Sequence, residues 1–244
     1  KSFPVLYMFD GQNIFHGKKV MASVEYDDGW QVDKTLDSLF DAKIIPPTIV
    51  VGIFNTGKRR YSEYTPAKPI NLIKSQINYA ETRFKNSYDQ FGIVSDSLLK
   101  FIVKELKPFI DNNFKTKSGK EHTFVAGSSV GGLISAYAVC EYPNIFGSAA
   151  CLSTHWPVLD GAFIEYLKKN IPEPRFNKFY FDFGTVGLDS LYEPYQIVVD
   201  SIMIAKGYQE NVSWLTKKFN HADHNEKFWQ ARFHYPVEFL FSNQ

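Results

Sequence analysis

The residues His122-Thr-Phe-Val-Ala-Gly-Ser-Ser-Val-Gly-Gly-Leu133 carry an apolar run straight into a helix-compatible segment. Residues 123–126 predict a buried strand, residues 132–141 predict a helix, and the turn between them reads Gly-x-Ser-x-Gly, centred on Ser129. A serine at the tip of so sharp a turn takes a strained backbone conformation, so the positions two before and two after it need to lack a side chain. Strand, turn and helix together predict Ser129 as a candidate nucleophile.

Strands and helices alternate along the rest of the chain in the pattern of parallel α/β proteins. Buried strands are predicted at residues 4–9, 48–54, 123–126, 149–153, 178–184 and 212–219, and helices at residues 30–41, 95–114, 132–141, 193–206 and 225–241. We expect a mostly parallel central sheet with helices on both faces, which is a three-layer sandwich. With 244 residues, 44% of them hydrophobic, the chain suits one domain over residues 1–244. Residues 67–94 lack a clean period and are predicted to be an insertion over the site, and the last helix is predicted to be interrupted at Pro236.

Charge and cysteine content exclude several classes of function. Lys plus Arg number 27 and Asp plus Glu number 26, so no charged field favours nucleic acid or an anionic membrane surface as a partner. No apolar run approaches the length of a membrane span, and no signal peptide is recognisable. The two cysteines, Cys140 and Cys151, offer neither a disulfide scaffold nor a zinc site. A small-molecule or saccharide-linked substrate is the expected partner, whereas compartment and oligomeric state stay open.

A serine nucleophile needs a base within hydrogen-bond reach and an acid that orients the base. His224 is predicted as the base, because it follows the last predicted strand and precedes the last helix. His221, in the same loop, is the runner-up. Asp189 is predicted as the acid because it lies in the loop after the fifth predicted strand. Asp182 inside that strand and Glu193 at the start of the next helix are the alternatives.

Acyl transfer also needs N–H donors for the developing oxyanion. One is predicted to be the backbone amide of Val130, directly after the nucleophile and at a helix start. The other is predicted to be the amide of Gln12, in the turn after the first strand, where Gly11 permits a close backbone approach. This chemistry requires no metal and no organic cofactor.

Four side chains are predicted to contact the substrate: Trp156, His155, Tyr61 and Trp229. Aromatic faces of this kind stack on sugar rings or on an aromatic acyl group. They would equally fill the core of a chain that is 16% aromatic.

Four stretches match a known pattern: Pro4-Val-Leu-Tyr-Met-Phe-Asp-Gly-Gln12, Gly127-Ser-Ser-Val-Gly-Gly132, Phe181-Asp-Phe-Gly-Thr185 and His224-Asn-Glu-Lys-Phe-Trp-Gln-Ala-Arg232. In these stretches the chain resembles the putative esterase family of α/β-hydrolases, which includes enterochelin esterases, S-formylglutathione hydrolases and family 1 carbohydrate esterases. The resemblance covers nearly the whole chain. It implies an α/β-hydrolase fold, a Ser-acid-His triad and His224 as the base.

The acid is where the chain departs from this family. Relatives often carry it about three residues after the glycine of the Gly-Thr turn, a position that Gly187 occupies here. The resemblance also places the family's first strands upstream of Lys1. Since the chain starts without Met, we expect the first N-terminal strands to be missing.

These residues predict a serine carboxylic-ester hydrolase that works through an acyl-enzyme, and the resemblance favours acetyl or feruloyl esters of carbohydrates as substrates. A siderophore-type esterase is an alternative, although no excess of positive charge favours an anionic iron complex. An acyltransferase would use the same triad and differ in how well water is excluded. A non-catalytic glycan-binding module on a hydrolase fold is the alternative from another class, although it would have no need to retain Ser129 and His224.

Overall fold

The computed structural model describes residues 1–15, 29–70, 82–175 and 177–242, and a sheet of six strands forms its centre. The strands are Val5–Phe9 (β1), Ile49–Ile53 (β2), Thr123–Ser128 (β3), Ser148–Leu152 (β4), Lys178–Gly184 (β5) and Trp214–Phe219 (β6). Their order is β2-β1-β3-β4-β5-β6, and every neighbouring pair is parallel. Because parallel strands end at the same edge of a sheet, the loops that follow these strands meet there.

Helices pack on the sheet from both sides. They are Val32–Asp41 (α1), Arg60–Tyr64 (α2), Ala67–Ile70 (α3), Thr82–Phe91 (α4), Ser95–Phe101 (α5), Lys107–Asn113 (α6), Val130–Glu141 (α7), Ala162–Asn170 (α8), Glu193–Ala205 (α9), Glu226–Arg232 (α10) and His234–Phe241 (α11). A π-helical turn, Ile102–Leu106, joins α5 to α6 into the single helical stretch that the sequence predicts. The C-terminal helix is interrupted at Phe233 and not at Pro236. Pro236 lies in the first turn of α11, where its missing N–H removes no intrahelical hydrogen bond.

Two hydrophobic cores lie on opposite faces of the sheet. Successive residues of β1 point to opposite sides, so Tyr7 joins the core that includes α7 and Met8 joins the core that includes α1 and α11. Helix α7 is buried at every position from Val130 to Cys140. The parallel sheet with a helical layer on each face confirms the predicted α/β class.

The segment predicted as an insertion over the site contributes to the core instead. Phe84 in α4 is fully buried and its ring stacks on that of Tyr88. Ile70, at the end of α3, is also buried. Residues 71–81 of the segment lie outside the described residues. The two helices are short, four and ten residues, so their buried positions leave little periodic signal in the sequence.

Candidate active site

Ser129 forms the turn between β3 and α7, with φ 59° and ψ −127°. This conformation costs a residue with a side chain about 1–3 kcal/mol and persists only where the surroundings hold it. Its N–H donates to the Leu152 carbonyl at 3.0 Å, and its carbonyl accepts from the His155 N–H at 3.1 Å. A Cβ at Gly127 would lie 2.6 Å from the Gly131 carbonyl oxygen. Glycine at 127 therefore lets the strand and the helix approach closely enough to form the turn.

His224 and Asp189 form a short hydrogen bond at the same edge of the sheet. The His224 Nδ1 lies 2.6 Å from Asp189 Oδ1, with Asp189 fully buried and the His224 side chain 14% exposed. The other oxygen, Oδ2, accepts from the Gly184 N–H and from the Ser153 hydroxyl, both at 2.6 Å.

The electrostatics of this pair favour an ionised acid. Burial alone would raise the pKa of Asp189, but the hydrogen bond and charge of His224, with the donors Ser153 and Gly184, hold that pKa below its usual value. An ionised carboxylate only accepts hydrogen bonds, so Nδ1 of His224 carries the proton. Nε2 is then the nitrogen that can accept a proton, which is the arrangement a general base needs.

The alternative acids and the alternative base lie in other contacts. Asp182 is fully buried in β5 and pairs with Arg232 at 2.9 Å. Glu193 is at the start of α9 and pairs with Lys218 at the surface. His221 is exposed and lines a recess of about 310 Å³ together with Glu193, Lys218 and Asp189. Of the three predicted acids, Asp189 is the one at hydrogen-bond distance from His224.

Tyr192 connects His224 to the turn that carries Ser129. Its buried hydroxyl lies 2.7 Å from His155 Nδ1 and 3.5 Å from His224 Nδ1. The backbone N–H of His155 in turn holds the Ser129 carbonyl. The ends of β3, β4, β5 and β6 thus contribute Ser129, His155, Asp189 and His224 to one cluster.

The turn after β1 lies against the end of β2. A Cβ at Gly11 would lie 2.5 Å from the Gly52 carbonyl carbon, so the backbone there approaches more closely than any other residue permits. The Gln12 side-chain oxygen accepts from the Asn55 N–H at 3.3 Å. On the other side, Val130 is the first residue of α7, and an amide in the first turn of a helix has no acceptor within it.

A buried ion pair fixes the residue before that turn. Asp10, with φ 56°, accepts from Arg60 Nε at 2.7 Å and Nη2 at 2.6 Å, and also from the Asn55 side-chain amide at 2.7 Å. The same carboxylate lies beside the start of α7, since a Cβ at Gly131 would be 3.3 Å from it. Neither Asp10 nor Arg60 was singled out for this role from the sequence, where Arg60 is one of several basic residues in a polar loop.

Replacing Arg60 by methionine is expected to destabilise the protein by about 3–5 kcal/mol, because the change leaves the Asp10 carboxylate buried without its cation. The side chains are 15% and 8% exposed, so water replaces little of the lost partner. Urea unfolding followed by circular dichroism measures the effect. Lys58→Met, which removes an exposed cation two residues away, is the control. Equal midpoints for both variants would contradict this assignment.

The side chains predicted to contact the substrate differ in how deeply they are buried. The Trp156 ring is 1% exposed, packs on Phe163 and Phe181, and donates to Gln196. The packing of this buried ring does not favour contact with a ligand, and the substrate contact of Trp156 stays a prediction. Tyr61 is partly buried against the core.

Trp229 and His155 are buried near His224 instead of lining an open surface. The Trp229 ring is 5% exposed and meets the His224 ring edge to face at 5.0 Å, and its Nε1 donates to Ser153. His155 is 4% exposed. Both residues therefore border the cluster of Ser129, Asp189 and His224, and neither offers an open aromatic face.

An exposed aromatic ring outside the four predicted substrate contacts lies beside the turn after β1. Phe54 follows β2 and is 69% exposed, and its Cδ1 would be 2.8 Å from a Cβ at Gly11. Phe15, after the same turn, is 43% exposed. The position of Phe54 at the carboxyl end of a predicted strand is the signal that could have identified it.

Possible metal ligands and both thiols lie within the part of the chain that the structure describes. Within residues 1–15, 29–70, 82–175 and 177–242, no group of three or more His, Cys, Asp or Glu side chains is placed to hold a metal ion. Both cysteines are buried, and burial raises the pKa of each thiol above its usual value. Among the same residues no helix is long and apolar enough to cross a bilayer.

Known proteins share this architecture. Of the curated relatives, the Bacillus subtilis (strain 168) protein YbbA is 25% identical over 155 residues, which are 63% of this chain and 51% of YbbA. An enterobactin esterase structure from Shigella flexneri superposes with a TM-score of 0.64 at 18% identity, covering 98% of this chain and 53% of that one. A ferulic acid esterase structure from Anaeromyces mucronatus superposes with a TM-score of 0.60 at 17% identity, covering 100% and 81%.

The chain spans about half the length of YbbA and of the Shigella esterase. At such low identity the structural likenesses establish the fold. The sequence model of the family described as "Putative esterase" matches residues 1–237, which is nearly the whole chain. With the fold, the serine turn and this match in agreement, the protein belongs to the Putative esterase family of α/β-hydrolases.

Proposed function

We propose that this protein is a serine carboxylic-ester hydrolase with Ser129 as nucleophile, His224 as base and Asp189 as acid. The observation that carries the proposal is the 2.6 Å hydrogen bond between His224 Nδ1 and Asp189 Oδ1 at the same sheet edge as the strained Ser129 turn. Packing alone requires neither a serine at the strained turn nor an imidazole held by a buried carboxylate.

In the proposed reaction, the Ser129 hydroxyl attacks the acyl carbonyl of an ester while His224 Nε2 takes its proton. The imidazolium that forms is stabilised by the ionised Asp189, and it returns the proton to the departing alcohol. Water then attacks the acyl-enzyme by the same route in reverse, which releases the acid and restores Ser129. Asp189 stays ionised throughout.

The developing oxyanion would be held by the backbone amides of Val130 and Gln12. Support for Val130 comes from its place as the first residue of α7, where an amide lacks a helical acceptor and the helix dipole favours negative charge. Support for Gln12 comes from the close approach of Gly11 to β2 and from the Asp10–Arg60 pair that anchors the turn.

We propose that the substrates are esters of an aromatic acid, or esters that join an acid to a sugar. The structural relatives include a protein named as a ferulic acid esterase, whose name denotes esters of an aromatic acid, and one named as an enterobactin esterase. The exposed Phe54 ring lies beside the proposed oxyanion turn, where the acyl group would sit. With a net charge of +1, the chain has no evident attraction for a highly anionic iron complex, so the feruloyl type is favoured over the siderophore type.

Hydrolysis of p-nitrophenyl acetate and of methyl ferulate tests the proposed function, with release of nitrophenol and of ferulic acid as the readouts. Repeating the assay with an added alcohol and identifying the products separates hydrolysis from acyl transfer. If folded protein hydrolyses neither ester, the proposal is overturned and a binding module is favoured.

Phe54→Ala is expected to raise the KM for methyl ferulate by about twofold to tenfold while changing the KM for p-nitrophenyl acetate little, because one lost aromatic contact is worth about 0.5–1.5 kcal/mol. Steady-state kinetics on the two esters measure the difference. Phe109→Ala, which removes a similarly exposed ring on α6, is the control. Equal changes on both esters would remove Phe54 from the substrate site.

A further inference from the structure

Behind the triad lies a second polar cluster, formed by Ser153, Asp182, Trp229 and Arg232, all of them buried. Ser153 is fully buried and directly follows β4, with φ 40°, a conformation that residues with a side chain seldom adopt. Its N–H donates to Asp182 Oδ1 at 3.0 Å. A strained, fully enclosed serine one strand away from the nucleophile is not required by the proposed reaction.

The direction of the Ser153 hydroxyl is dictated by its neighbours. Its Oγ lies 3.0 Å from Trp229 Nε1, 2.6 Å from Arg232 Nη2 and 2.6 Å from Asp189 Oδ2. An indole N–H and a guanidinium can only donate, so these two groups occupy both lone pairs of the hydroxyl oxygen. The one hydroxyl proton is left to donate to Asp189.

That donation decides which oxygen of Asp189 faces the base. Oδ2 accepts from Ser153 and from the Gly184 N–H, so both of its lone pairs are engaged. Oδ1 is therefore the oxygen available to His224. A fully buried carboxylate held in this way cannot rotate without breaking two short hydrogen bonds.

Arg232 and Asp182 hold Ser153 in turn. Arg232 Nη2 also donates to Asp182 Oδ1 at 2.9 Å and lies 3.7 Å from Asp189 Oδ2, so one cation lies between two buried carboxylates. Tyr180 donates to the other oxygen of Asp182. Removing a member of such a network leaves charges buried without compensation.

We infer that Ser153 is a positioning residue of the triad: its hydroxyl, oriented by Trp229 and Arg232, locks Asp189 so that Oδ1 is presented to His224. The inference rests on the proposed function for its catalytic consequence. The fixed orientation of the Asp189 carboxylate can be measured by NMR, which does not depend on turnover.

Ser153→Ala is expected to lower kcat for p-nitrophenyl acetate by about tenfold to a hundredfold, the effect of one hydrogen bond to a charged group, while KM changes less. The far-downfield proton resonance of the His224 Nδ1–H, which reports a short Asp–His hydrogen bond, should shift or broaden away by proton NMR. Trp229→Phe, which frees one lone pair of Ser153 without removing the hydroxyl, should give a smaller change of the same kind.

Two further variants separate positioning from stability. Ser153→Gly removes the hydroxyl but accepts φ 40° without strain, so it should fold and yet show the same loss of kcat and the same change in the resonance. Ser148→Ala, which alters a buried serine at the other end of β4, should leave both readouts unchanged. A Ser153→Gly protein with wild-type kcat and an unchanged resonance would overturn the inference. If the wild type itself lacks activity, the proposed function fails, and the resonance alone still decides the lock.

Discussion

Ser129→Ala is expected to reduce hydrolysis of p-nitrophenyl acetate by about 10⁴-fold or more, because it removes the atom that attacks the carbonyl. Alanine keeps the Cβ at the strained position, and the backbone hydrogen bonds of the turn to Leu152 and His155 are unaffected. Folding should therefore be retained. Initial rates across a range of enzyme concentrations measure the loss.

The neighbouring serine provides the matched control. Ser128 is the last residue of β3 and is also buried, so Ser128→Ala changes the same atoms one residue earlier. We expect Ser128→Ala to keep activity within a few-fold of the wild type. A large loss in Ser128→Ala with activity retained in Ser129→Ala would move the nucleophile, and an equal loss in both would indicate general damage to the turn.

Asp189→Asn is expected to lower kcat by about 10⁴-fold with little loss of stability, because the amide forces the wrong tautomer on the base. The Ser153 hydroxyl and the Gly184 N–H donate to Oδ2, so the asparagine oxygen should occupy that position. Its NH₂ then faces His224 Nδ1. The ring proton moves to Nε2, which can no longer accept from Ser129.

Amide substitutions at two other carboxylates, Glu193 and Asp182, test whether the loss of kcat is specific to position 189. Glu193→Gln changes an exposed carboxylate that pairs with Lys218 and should leave kcat nearly unchanged. Asp182→Asn changes a buried carboxylate held by Arg232, so its main effect should fall on stability. The pKa of Asp182 is raised by its burial although Arg232 opposes this, which sets it apart from Asp189. A steep fall in kcat for Glu193→Gln with none for Asp189→Asn would contradict the assignment.

Much of the fold could be predicted because buried parallel strands are continuous apolar runs bounded by polar turns. Strand β5 spans the predicted residues 178–184, and β3 extends the predicted run by two residues into the turn. The break in the last helix was placed three residues late. Proline usually ends helices, but Pro236 lies in the first turn of α11, where it is tolerated.

The candidate site was harder to predict, since its residues act through contacts distant in sequence. Asp189 was predicted from its place in the loop after β5, and its hydrogen bond to His224 is a contact across 35 residues that no local pattern shows. Ser153 gave no local signal, because its partners Trp229 and Arg232 lie 76 and 79 residues further along the chain. Only folding shows that the three meet.

Sequence composition does not show which aromatic rings are buried and which are exposed at the site. Trp156 follows a strand at the ligand-binding edge, yet its ring turns back between Phe163 and Phe181. Phe54 follows a strand at the same edge and stays exposed. From sequence position alone, either ring could line a site at this edge of the sheet. Only the packing in the folded protein shows that Trp156 is buried and Phe54 is exposed.

Labelling with a fluorophosphonate, followed by peptide mass spectrometry, tests the central claim most directly. The probe forms a bond with an activated serine, so it requires nucleophile and base to act together but needs no knowledge of the natural ester. We predict one adduct, on Ser129, which is lost in Ser129→Ala and strongly slowed in His224→Ala and Asp189→Asn. An unlabelled wild type, or an adduct that persists in Ser129→Ala, would contradict the assignment of this site as a serine esterase.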